Sequence, residues 1–98
     1  LEEGKAARRE HDASFVDREG KRIPIRLVAS VEHTGDRLDC SVEIAYGAEI
    51  RSWDLSGPIG EQRETREMVG KVEVWLETDS NGLSYSLWRR DIEQGMFR

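Results

Sequence analysis

Cysteine, histidine and proline are scarce in this sequence of 98 residues: Cys40 is the single cysteine, His11 and His33 are the two histidines, and there are two prolines. One cysteine cannot form an intramolecular disulfide, and it matches a reducing compartment, so a cytoplasmic protein is the expectation. Spacings such as C-x-x-C or H-x-x-x-H do not occur, which argues against zinc or another transition metal. Phosphate-cradling patterns of the GxGxxG or GxxxxGK[ST] kind are absent as well. No cofactor is therefore expected. No apolar run approaches the ~20 residues of a membrane-spanning helix, and the first residues, LEEGKAARREHD, lack the apolar centre of a signal peptide.

Charge, by contrast, is abundant. Charged residues make up 36% of the chain and hydrophobic ones 37%, with a formal net charge of −5. Residues 1–26 carry a net +1 and residues 27–98 a net −6, so neither part offers the basic surface from which nucleic-acid affinity comes. Nucleic acid and anionic membrane are both disfavoured as partners.

Apolar residues fall into alternating clusters, which marks a folded β module rather than a disordered chain. From Arg22 onward, Ile23, Ile25, Leu27, Ala29 and Val31 alternate with polar residues, and Leu38, Cys40, Val42, Ile44 and Tyr46 repeat the pattern. A two-residue loop at Thr34-Gly35 would pair Val31 with Leu38, Leu27 with Val42 and Ile23 with Tyr46 on one face. It would also set Glu32 opposite Arg37 and Arg26 opposite Glu43 on the other. Pro24 cannot donate a ladder hydrogen bond, so this strand is expected to begin at a sheet edge.

Ala48–Leu55 reads as a third strand needing a bulge, because Ile50, Trp53 and Leu55 do not share one parity. Ser56–Gly70 reads as a solvated connection with one helical turn, in which Glu61, Glu64 and Glu67 pair locally with Arg63 and Arg66. A second hairpin follows. With Asn81-Gly82 as its loop, Leu76 pairs with Leu87, Trp75 with Trp88 and Glu73 with Arg90. Residues 1–13 are good helix formers with a thin apolar stripe, and read as a tail or short helix. Ile92, Met96 and Phe97 are apolar enough to fold back.

No segment supplies a helix able to cover the apolar sheet face, so the sheet must cover itself. The expectation is a mainly β fold: a five- to six-stranded antiparallel barrel or sandwich built from two hairpins, with 1–13 as tail and 14–98 as one domain.

Catalytic constellations are sparse. In the expected register Cys40 lies in the core and His33 stands about 13 Å up the hairpin, beyond the reach of a Cys-His dyad. The leading expectation is a non-enzymatic interaction module or subunit that binds a protein partner or itself, with Trp75, Trp88, Arg90 and Trp53 as its interface. A carboxylate-dependent enzyme and a small-ligand binder are the alternatives. Arg18 and Arg22 are four apart at the start of a strand, and Asp54-Leu55-Ser56 ends a later one. Together they resemble the RxxxR and DxSxxG elements of PilZ domains, although Ile59 occupies the glycine position and Gly60 falls one residue late. The resemblance implies a cyclic-dinucleotide or other phosphate ligand held by Arg18, Arg22, Asp54 and Ser56 in a β-barrel.

Overall fold

The computed structural model describes residues 6–89, and these form eight strands with no helix. They are β1 (Ala6–Val16), β2 (Arg22–Thr34), β3 (Arg37–Tyr46), β4 (Glu49–Asp54), β5 (Gly57–Pro58), β6 (Arg63–Val69), β7 (Val72–Asp79) and β8 (Gly82–Arg89). β1 to β4 are ordered as they occur in the chain, with β5 continuing along β3, and β6, β7 and β8 form a second sheet. All pairings are antiparallel. The architecture is a sandwich of two sheets rather than a closed barrel.

One core joins them. Ile25, Leu27, Ala29, Cys40, Val42, Ile44, Tyr46 and Leu55 of the first sheet meet Val69, Val72, Val74, Leu76 and Leu87 of the second in a single buried cluster. Leu27, Ile44, Val74 and Leu76 have no exposed surface. Along one flank the His11 ring of β1 meets the Tyr85 ring of β8 edge-on at 6.3 Å. Along the other flank β4 approaches β6.

Both hairpins differ from the sequence expectation by a two-residue slip, the first loop lying one residue later in the chain and the second one residue earlier. β2 and β3 pair Val31 with Cys40 and Leu27 with Ile44, because the loop is Gly35-Asp36. A loop of Thr34-Gly35 would need positive φ at both residues, which the β-branched Thr34 resists. With Gly35 as the first loop residue at φ +59°, and no non-glycine at positive φ, the turn takes its type II′ form. In the second hairpin the loop is Ser80-Asn81, and Gly82 opens β8 at φ +126°. The Asp79 carboxylate holds this turn by accepting the Asn81 N–H at 2.7 Å.

A slip of two residues keeps every side chain on its own face but changes its partner. The inward faces therefore match the alternation, and the expected charge pairs do not form. Glu32 faces Asp39, and Arg26 faces Ala45. Arg26 instead bonds Glu10 and Asp12 of β1.

Those last two residues belong to a segment that reads as helix or tail. Ala6–Val16 is a strand paired with β2 over its whole length, so burial of Ala13 and Phe15 against the core overrides local helix propensity. β2 is consequently an interior strand. Pro24 is accommodated where the β2–β3 ladder ends: its carbonyl accepts the Gly47 N–H at 3.3 Å, so its missing donor would point to the same terminus.

Ser56–Gly70 is likewise no open connection, since it contains β5 and β6. Ile50 is not drawn inward by a bulge; it stays on the outer face, 62% exposed, while Trp53 and Leu55 share the inward parity. The expected fold-back of Ile92, Met96 and Phe97 lies outside the described residues.

Two substitutions check this core from opposite directions. Leu27→Ala is expected to cost about 2–5 kcal/mol in a denaturant titration. Thr78 is 1% exposed and its Oγ1 has no hydrogen-bond partner among the described residues, so Thr78→Val is expected to raise stability by about 1–2 kcal/mol. A loss of stability in Thr78→Val would show that the hydroxyl is hydrogen-bonded in the folded chain.

Candidate functional site

The outer faces of the two sheets carry the side chains that the core does not use. On the first sheet, Ser30, Ser41 and Ser52 form a floor of small hydroxyl side chains across β2, β3 and β4. Arg8, Glu32, Asp39 and Asp54 stand around it, enclosing an open groove of about 660 Å³. Its charged groups are largely committed. Asp39 binds Arg37 at 2.7 Å, Arg8 binds Glu10 at 3.3 Å, and Asp54 accepts the Ser56 N–H at 2.9 Å.

Asp54 and Ser56 serve the backbone. Where β4 breaks before β5, the Ser56 hydroxyl accepts the Cys40 N–H at 2.9 Å, and its own oxygen lies 3.4 Å from the Cys40 carbonyl. The side chain thus replaces a ladder partner inside a sheet. Hydrogen bonds from Ser56, side chain first and backbone second, hold the Asp54 carboxyl below the usual carboxylate range.

Arg18 and Arg22 lie at the other end of the molecule. Arg22 opens β2, whereas Asp54 pairs with Ser41, which pairs with Ser30, eight residues further along that strand. At the usual rise this is about 27 Å. The four residues that resemble PilZ elements therefore do not converge, and the fold is not the barrel that resemblance implies.

Cys40 stands two pairs from His33 along the strands, nearer than the sequence register places it, because it pairs with Val31. The thiol is 1% exposed, and desolvation, followed by the Asp54 charge, pushes its pKa up to about 11. His33 Nε2 lies 3.0 Å from the Gly35 carbonyl, in the turn. A thiolate at neutral pH is thus disfavoured. Among the described residues no group of three or more His, Cys, Asp or Glu could hold a metal ion.

The three tryptophans divide. Trp53 faces inward on β4 and takes part in the seam between sheets, its Nε1 donating to Glu67 at 3.0 Å. Arg51 bonds the same carboxylate and places its guanidinium 5.7 Å from the Trp53 ring. Glu67 is therefore a clasp across the seam rather than a loop residue pairing with Arg63 or Arg66. Sequence reasoning missed it because its inward charge hides the alternation of β6; the signal was Arg51 and Trp53 sharing one parity near a lone inward carboxylate.

Trp75 and Trp88 lie on the outer face of the second sheet. They are diagonal neighbours rather than an opposed pair, Trp75 facing Ser86 and Trp88 facing Glu73. On its other side Trp75 faces Arg66, whose guanidinium stacks on the indole 4.0 Å from the ring centroid. The indole Nε1 donates to Glu64 at 2.6 Å. Met68, 43% exposed, continues this face beside Glu73. Arg90 lies outside the described residues. Both a cation–π stack and a charge-assisted hydrogen bond thus fix the Trp75 ring, and half-buried indoles stand among charged groups.

Comparison with protein-family models, with curated proteins and with solved structures returns no match to this chain. Among the described residues no helix is long and apolar enough to cross a membrane.

The structural role of Ser56 is directly testable. Ser56→Ala leaves the buried Cys40 N–H without its partner and is expected to destabilise the fold by about 1–3 kcal/mol. The change should leave the far-ultraviolet spectrum unaltered at low temperature. Acidification adds a second check. A depressed carboxyl stabilises the fold above its ordinary pKa and loses that contribution as pH falls through its lower folded value. Asp54→Asn is expected to flatten the stability profile in that acidic window, and an unchanged profile would remove Asp54 from the account.

Proposed function

We propose that this protein is a non-enzymatic interaction module that engages a protein partner through the outer face of the three-stranded sheet. The observation that supports this most is the Trp75 ring, held rigid between Glu64 and Arg66 on a face that also presents Trp88 and Met68. Tryptophan and arginine dominate the residues on which binding energy concentrates, and a ring already fixed in place loses little conformational freedom when a partner covers it.

Catalysis finds less support. The Cys40 thiol is buried and held protonated, and the carboxylates Glu61, Glu64 and Glu67 are engaged with Arg63, Trp75 and Arg51. Each of these contacts orders a strand or a seam. Trp75 and Trp88 carry this surface, Trp53 lies in the seam between the sheets, and Arg90 lies outside the described residues.

Trp75→Ala and Trp88→Ala separate a binding surface from a structural one. As binding residues they leave the melting temperature within a few degrees of wild type and lose the proteins that the immobilised wild-type chain retains. Self-association, read by light scattering over a concentration series, identifies a second copy as the partner if it vanishes in the same variants. Variants that melt much lower yet retain the same proteins would contradict the proposal.

A further inference from the structure

The same face contains a more specific feature. A cleft of about 210 Å³ lies between β7 and β8, bounded by Trp75, Glu77, Ser84, Tyr85 and Ser86. Its floor is low because Ser84 and Ser86 are small, and its far wall is an indole with a carboxylate beside it. Glu77 accepts a hydrogen bond from Gln62 at 2.9 Å, which orients the carboxylate without neutralising it. The cleft reaches the outer edge of β8, a strand that pairs with β7 and with no other strand among the described residues.

We infer, resting on the surface reading above, that this cleft receives arginine or lysine side chains from an extended segment of the partner protein lying along β8. The chain itself provides the precedent for the chemistry. Arg66 stacks on Trp75 with Glu64 at the indole nitrogen, so a guanidinium, an indole and a carboxylate already fit together on this face. The cleft presents an indole and a carboxylate again, Trp75 together with Glu77.

Reach selects the side chain. A strand added beside β8 lies about 10 Å from β7, two strand spacings away. Long side chains alone cross Ser84 or Ser86 to meet Trp75 and Glu77. Among long side chains, charge then discriminates: among the described residues of this face the exposed or half-buried carboxylates Glu64, Glu73 and Glu77 outnumber Arg66, so an acidic side chain is repelled and a cationic one attracted. Alternate residues of an added strand share one face, so those opposite Ser84 and Ser86 both point over the cleft.

A selection from a library of random, extended peptides displayed on phage tests the inference, with the folded chain as bait and Trp88→Ala as the control surface. Enrichment of Arg or Lys at alternate positions is the expected result. Synthetic peptides from that pool are expected to bind about two- to fivefold more weakly to Glu77→Gln, a loss of the size of one cation–π or exposed charge contact. Replacing their arginines by citrulline, which keeps shape and removes charge, is expected to abolish binding. Peptides that depend on Trp88 but carry apolar residues without Arg or Lys would overturn the cationic cleft and leave the surface reading standing. A library from which nothing dependent on Trp75 or Trp88 emerges would overturn both. Melting of Glu77→Gln at the wild-type temperature makes the comparison one of binding alone.

Discussion

A chain whose apolar residues alternate along strands, and which has no helix to lay over them, can bury that face only against another sheet. Everything else in this structure follows from that constraint. β2 and β3 supply one apolar face, β7 with its neighbours supplies the other, and thirteen buried side chains of the two sheets form one cluster. The outward faces are left for charge, serine and the exposed part of two indoles. Sheets held this way depend on each other, since neither face has an alternative cover.

The β4–β6 flank shows how the two sheets are kept in register. Glu67 points inward from an edge strand whose one fully buried side chain is Val69, and binds Arg51 and Trp53 of the opposite sheet. An inward charge is a known guard on edge strands, and here it also fixes the seam. The same geometry packs Trp53 against the core and ties its indole nitrogen into the seam. It also ties Ser56 to Cys40 just beyond β4, where the hydroxyl completes a ladder that the chain's bend interrupts.

Alternation made β2, β3 and β7 legible, because inward apolar residues every second position are the direct imprint of a half-buried sheet. The partner of each residue was not legible. Register depends on which loop residue takes positive φ, and a single glycine can occupy more than one turn position. Gly35 opens its turn rather than closing it, and Gly82 follows its loop rather than ending it. The hidden strands have a different cause. Arg63, Thr65 and Glu67 face inward in β6, and helix-forming residues fill β1, so neither segment shows a clean apolar stripe; long-range pairing settles both. Of the candidate site, the outward face of Trp75 and Trp88 was readable from parity alone. The stack of Arg66 on Trp75 was not, because it joins strands separated by a turn that reads as the end of a loop.

That face has its present form because the core is shared. Trp75 alternates with the fully buried Val74 and Leu76, so the ring is outward only while the two sheets remain packed together. Residue-resolved amide hydrogen exchange tests this mutual dependence most directly, since it reads the opening free energy of each sheet separately. The account predicts that the slowest amides of β3 and of β7 exchange with the same free energy, equal to that of global unfolding. Protection retained in β2 and β3 while β6, β7 and β8 open at a much lower free energy would show a first sheet that stands alone, and would contradict it.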